Sequence, residues 1–138
     1  MFSTNRNFGR EITPLAFGKV VGNSNSASFG ILKVTNKDNA TVDGSNAMTV
    51  TRVGVGCYWM YVPGSWFVNA DYIYVDLTGF GFSAGTYDAP VKASVGNIVS
   101  TTLSGRSVFR IEINVSDDAT NNDGSFFFRL YNMAQWDD

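Results

Sequence analysis

Histidine is absent from this 138-residue sequence. Without an imidazole, one chain cannot assemble Ser-His-Asp or Cys-His catalysis, nor any metal site with a histidine ligand. Cysteine occurs once, at Cys57, which excludes an intrachain disulfide. It lies in an apolar run, where an inert, buried thiol is expected; a reactive thiol needs an activating base or an electropositive setting. Charge is scarce as well. Only 16% of residues are Asp, Glu, Lys or Arg, against about 25% in ordinary domains, so Ser, Thr, Asn and Gly must cover much of the surface. Such a composition is common in extracellular and virion β-proteins. The net charge of -2 gives no basic footprint for nucleic acid. No apolar run approaches the length of a membrane span. The opening "MFSTNRNFGREITP" has no apolar core segment, so no secretory signal is expected.

What is present is a series of β-branched and aromatic runs separated by Gly, Asn, Asp and Ser clusters. The runs predict nine strands, over 15–21, 28–34, 47–53, 57–62, 72–78, 91–95, 98–103, 108–115 and 126–132. No stretch combines helical periodicity with caps. Short strands with frequent turn signals predict an all-β chain, an antiparallel β-sandwich or jelly roll of about eight to nine strands. It would occupy 15–138, behind an extended N-terminal arm over 1–14 whose apolar anchors are Phe2, Phe8 and Ile12. In "SVFRIEINV", Phe109, Ile111, Ile113 and Val115 alternate with Arg110, Glu112 and Asn114, the mark of a strand with one wet face. In "GSFFFRLYNM", Phe126, Phe128 and Leu130 oppose Phe127, Arg129 and Tyr131, a mixed face expected to be partly covered. The loop "DLTGFGFSAGTYDAP" reads better as a crossover with Phe80 and Phe82 in the core than as a recognition loop.

Chemical motifs are few. Gly54-Val55-Gly56 precedes neither a third spaced glycine nor a helix, so it reads as a turn or bulge rather than a nucleotide loop. "DDATNNDG" fails the EF-hand pattern, because Ala119 stands where the first ligand belongs. Asp117, Asp118, Asn121 and Asp123 are hard-oxygen donors, but hairpin turns use the same residues far more often. Asp76 and Glu112 are mid-strand carboxylates, and nothing in the sequence pairs them across a cleft as glycoside hydrolysis requires. No cofactor is expected, and no enzymatic activity.

The aromatics carry the functional expectation. In "CYWMYVP", Cys57, Trp59 and Tyr61 share a face; in "DYIYVDLT", Tyr72, Tyr74 and Asp76 do. The two runs are joined by "PGSWFVNA", so Trp59, Tyr61, Tyr72 and Tyr74 are expected to form one aromatic panel, with Trp66 and Phe67 as additions. Three readings of it stand: core, subunit interface, or sugar-stacking platform.

The order of several short motifs between about Ala16 and Tyr131 resembles the C-terminal β-domains of tailed-bacteriophage fibre and head-decoration (head-fibre) proteins. They are "AFGKV", the "R-x-G-x-G-x-Y" of Arg52, Gly54, Gly56 and Tyr58, "NADYIYV", "FRIEINV" and "DGSFFF". The resemblance implies a sandwich or jelly-roll domain that is usually homotrimeric, non-catalytic and displayed on a virion. Partners would be other copies of the chain, virion proteins reached through the arm, and a host-surface glycan. Trp59 and Met60 are bulkier than that strand commonly carries, and the chain has no long shaft. This favours a small decoration or head-fibre protein, or a short tail-fibre knob. A carbohydrate-binding module with Trp59, Tyr61, Tyr72 or Tyr74 as platforms is the alternative.

Overall fold

The computed structural model describes residues 13–35, 41–43, 48–80, 82–83, 86–87, 91–117 and 123–136. The chain is an all-β sandwich of two antiparallel sheets. Its strands are β1 (Ala16–Gly22), β2 (Ala27–Thr35), β3 (Thr41–Asp43), β4 (Thr49–Gly54), β5 (Cys57–Pro63), β6 (Ile73–Phe80), β7 (Phe82–Ser83), β8 (Thr86–Tyr87), β9 (Lys92–Leu103), β10 (Arg106–Ser116) and β11 (Ser125–Asn132). One sheet runs β3-β2-β1-β11-β6 and the other β4-β5-β10-β9; β7 and β8 form a separate two-stranded ribbon. They are called below the β1 sheet and the β10 sheet. β1–β2, β4–β5 and β9–β10 pair as consecutive strands within one sheet. A jelly roll instead sends most successive strands to opposite sheets, so the sandwich alternative is the one realised.

The period-2 patterns decide what is buried. Tyr58, Met60 and Val62 of β5 and Phe109, Ile111, Ile113 and Val115 of β10 point into the space between the sheets. Ala16 and Val20 of β1, Phe126, Phe128 and Leu130 of β11, and Ile73 of β6 meet them from the other side. Tilted ring pairs tie the core together: Tyr58 with Phe126 between the layers at 6.0 Å, and Phe29 of β2 with Phe128 of β11 across the intervening β1 at 5.9 Å between centroids.

The nine expected strands become eight long ones because 91–95 and 98–103 are a single strand, β9. Ile111 pairs with Ile98 and Ile113 with Val95, so Gly96 and Asn97 both stand opposite Glu112 as a bulge. A bulge keeps the chain in the sheet where Gly-Asn suggested a break. Three short strands, β3, β7 and β8, lie in stretches read as turns. Ser104 and Gly105 close the β9–β10 hairpin, both at positive φ (52° and 78°), the geometry of a type I′ turn, which matches the twist of the flanking strands. Leu15 is already tied into the sandwich: its N–H donates to the Leu130 carbonyl (2.7 Å), and its own carbonyl accepts from Thr35 N–H (2.8 Å). The arm anchors Phe2, Phe8 and Ile12 lie outside the described residues, and so do the side chains of Phe80 and Phe82.

Candidate functional site

The motif residues Arg52, Gly56, Tyr58 and Asp123 meet at one end of the sandwich. Arg52 sits at the end of β4, and the β4–β5 turn places Gly56 at φ 65°, open to glycine without strain. Tyr58 follows on β5 with its ring wholly buried. Asp123 precedes β11 and receives four hydrogen bonds. Arg52 donates through Nε to Oδ1 and through Nη2 to Oδ2, both at 3.0 Å. The Gly56 N–H (3.0 Å) and the Tyr58 hydroxyl (2.9 Å) donate to Oδ1. The Gly124 N–H donates in turn to the Tyr58 oxygen at 3.3 Å, and the Gly22 N–H to Ser125 Oγ at 3.3 Å. Gly22 is required there: a Cβ would meet the Gly124 carbonyl and lie 2.6 Å from the Tyr58 hydroxyl.

Asp123 is only a weak cation candidate in the sequence, and its surroundings give it another role. Its carboxylate is engaged by a bidentate guanidinium and two further donors, which is structural cross-linking rather than a cation site. Asp117 is half-buried; Asp118 and Asn121 lie outside the described residues. Among the described residues no cluster of three or more His, Cys, Asp or Glu is placed to hold a metal ion. Burial alone would raise the Asp123 carboxyl, but the hydrogen bonds from Arg52, Gly56 and Tyr58 outweigh it and hold it below the usual carboxylate value. Burial pushes the Tyr58 phenol up to about 12, with the Asp123 carboxylate adding to the rise.

The Tyr58 shift has a measurable consequence. Between its ordinary value of 10.0 and about 12 the fold keeps a proton that the unfolded chain has released. The stability this contributes is intact below pH 10 and is lost as pH rises through the folded value. Absorbance titration of the phenols should therefore include a step well above pH 10 that coincides with unfolding, and Tyr58→Phe should remove that step.

The expected aromatic panel does not form. β5 belongs to the β10 sheet and β6 to the β1 sheet. The link between them, with 3-10 turns at Gly64–Trp66 and Ala70–Tyr72, carries the chain from one layer to the other. The outward faces of β5 and β6 therefore look away from each other. Trp59 and Tyr61 are half-buried on the outside of the β10 sheet. The Arg110 guanidinium lies over the Trp59 ring at 4.0 Å from its centroid, a cation–π stack that occupies a face a sugar would need. Tyr74 stands on the outside of the β1 sheet, 51% exposed, beside Tyr131 at 6.0 Å. Tyr72 and Trp66 pack against the core. Phe67 is buried edge-on to Phe109 at 6.0 Å.

Two further residues on the β10 sheet's outer face are held in place. Asn114 Nδ2 donates to Glu112 Oε1 at 3.3 Å, and the Glu112 carboxylate lies where a Cβ on Gly96 would be. The Cys57 thiol is half-buried rather than fully enclosed. Burial, then the Glu112 charge, raise its pKa, which disfavours the reactive thiolate.

The surface that the sequence did not single out is the outer face of the β1 sheet. Phe17 (40% exposed), Ile31 (50%) and Phe127 (47%) form an apolar strip across β1, β2 and β11, interrupted by Lys19, which stands between Ile31 and Phe127. Lys19 lies over the Phe127 ring at 5.9 Å. Beside the strip runs a shallow groove of about 400 Å³, bordered by Phe17, Ile31, Asp76, Thr78 and Phe127. Phe127 was legible as outward-facing from the "SFFFRLY" alternation. Ile31 was not, because β2 changes register against β1 between Lys19 and Val20, and the bulge breaks the alternation of "ASFGILKVT".

No protein-family model, curated protein or solved structure matches this chain.

Proposed function

We propose that this chain is a structural protein of a tailed-bacteriophage virion, a head-decoration or head-fibre protein or a short tail-fibre knob, that self-associates and is displayed on the particle. It works by binding rather than by catalysis. The observation that carries self-association is the strip of Phe17, Ile31 and Phe127, three large apolar side chains each 40–50% exposed on one sheet face. Large apolar side chains grouped on one exposed sheet face are the kind of surface that interaction sites use. The virion assignment rests on the motif resemblance. Two of its segments, "R-x-G-x-G-x-Y" and "D-G-S-F-x-F", are the segments that Asp123 ties together. In this chain those residues cross-link the fold, a structural role that fits a non-catalytic domain. The arm over 1–14 would join the domain to other virion proteins, with Phe2, Phe8 and Ile12 as anchors. A glycan-platform role has less support, because Arg110 already stacks on Trp59 and Tyr72 packs against the core.

The test is compositional. Particles raised from the genome that encodes the chain should contain it, as read by peptide mass spectrometry of purified virions. A chain found in the lysate of infected cells but missing from the purified particles rejects the assignment.

A further inference from the structure

β9 is an edge of the β10 sheet, with β10 as its only neighbour there. Edge strands are usually short, or carry charge or proline that blocks further pairing. The other edges of the two sheets follow that rule: β3 spans only Thr41–Asp43, β4 carries Arg52 and β6 carries Asp76. β9 runs from Lys92 to Leu103, and after Lys92 it has no charged residue and no proline. Its start lies against β6, where a Cβ on Gly79 would be 2.7 Å from the Val91 carbonyl oxygen and 3.1 Å from the Ala93 nitrogen. The Gly96-Asn97 bulge follows. Beyond it Ser100 and Thr102 are exposed, and Val99 is 37% exposed. The direction of the backbone groups in this segment is fixed by β10. The Val115 N–H donates to the Gly56 carbonyl at 2.7 Å, toward β5. Alternate residues of a strand turn to opposite neighbours, so Arg110 and Val108 turn to β9 and bond their register partners Val99 and Thr101. Ile98, Ser100 and Thr102 then turn their N–H and C=O groups out to the open edge. Among the described residues no hydrogen bond meets them there.

We infer that the segment 98–103 of β9 pairs antiparallel with the same segment of a second copy, about a two-fold axis through Ser100 and perpendicular to the sheet. The inference rests on the proposed self-association and gives it a surface separate from the Phe17 strip. In this register Ser100 faces Ser100, Ile98 faces Thr102 and Val99 faces Thr101. The residues with free backbone groups meet only one another, so each outward N–H finds an outward carbonyl. A shift by one residue would set a free residue against one already bonded to β10. The side chains agree with the register. Directly opposed residues of a bonded pair lie about 5.5 Å apart, a distance at which a charged residue at the axis would repel its own copy. Serine there does not, and the flanking Ile, Val and Thr are the β-branched residues that pair well across strands. Small, uncharged residues at the axis of a free edge therefore suit the chain's own copy as the added strand. The two β10 sheets become one continuous sheet, joined main chain to main chain. Every contact occurs twice, as an isologous interface requires.

Light scattering of the full chain from low to high micromolar concentration tests it, with circular dichroism to check the fold. Ser100→Lys sets two like charges face to face at the axis and should halve the mass of the wild-type particle, weakening association at least about tenfold. Ser100→Asp should do the same. Mixed in equal amounts, the two variants place opposite charges at the axis and should restore the wild-type mass, more weakly as salt rises. Thr102→Pro removes an outward N–H and leaves the ladder to β10 intact, so it should also weaken association. A monomeric wild type at all concentrations would defeat self-association itself. An oligomer whose mass neither Ser100→Lys nor Thr102→Pro lowers would leave self-association standing and overturn this edge as its site. Association lost in both Ser100 variants and not restored in their mixture would overturn the two-fold register.

Discussion

Asp123→Ala should lower stability by roughly 2–4 kcal/mol, since it strands the buried Tyr58 hydroxyl and the Gly56 N–H, each worth on the order of 1–3 kcal/mol when left unpaired. For a domain of this size that is a fall of about 10 °C in Tm, read by thermal or urea unfolding. The Arg52 fork loses its acceptor at the same time. Asp123→Asn keeps an acceptor oxygen for Tyr58 and Gly56 but loses the charge, so its cost should fall between wild type and alanine. The two aspartate variants also separate charge from hydrogen bonding through pH. The folded Asp123 carboxyl is held below its ordinary value of 3.8, so its contribution is present above that value and is lost as pH falls through the lower folded one. The stability gap between wild type and Asp123→Asn should therefore close in acid. A gap that is the same at neutral pH and well below the folded pKa would show that the carboxylate charge has no part in the lock.

Phe128→Ala and Phe127→Ala should differ sharply, although the residues are adjacent. Phe128 is 2% exposed and packs against Phe29, so its removal opens a core cavity and should cost about 3–5 kcal/mol. Phe127 points out of the same strand, 47% exposed with Lys19 over its ring, and its truncation should cost under about 1 kcal/mol. Chemical unfolding measures both. Equal losses would mean that the outer face of the β1 sheet is covered within the monomer, and would remove the basis for the proposed interface. The expected contrast would locate the boundary between core and contact surface at a single peptide unit.

The strand faces were legible because a β-strand sends alternate side chains to opposite sides. Phe109, Ile111, Ile113 and Val115 read as one buried row from sequence, and are buried as one. The Gly54-Val55-Gly56 turn was legible for a similar local reason, since a tight connection needs a residue at home at positive φ. Bulges were not legible. At Gly96-Asn97 and near Gly30 an extra residue shifts the alternation while the chain stays in its sheet. Those shifts split β9 into two expected strands and obscured Ile31 as an outward residue. The aromatic panel failed for a non-local reason. The residues sharing each face of β5 and β6 were grouped correctly, and Trp59 and Tyr74 both point outward, but outward means opposite directions once the strands lie in different layers.

What the sequence determined by itself was the class of structure and which residues share a face in β5, β6, β10 and β11, because both follow from period-2 patterning, turn chemistry and the absence of capped helical runs. It also determined that the chain lacks the imidazole chemistry of the commonest hydrolases. Only the tertiary structure decided which outward faces coincide. It brought Arg52 and Gly56 to Asp123 across about 70 residues of chain. It placed Arg110 on Trp59, and it gathered Phe17, Ile31 and Phe127 on a single surface. Contacts of that kind are set by sheet order and register, which depend on the packing of the whole core, and no local spacing in the sequence encodes them.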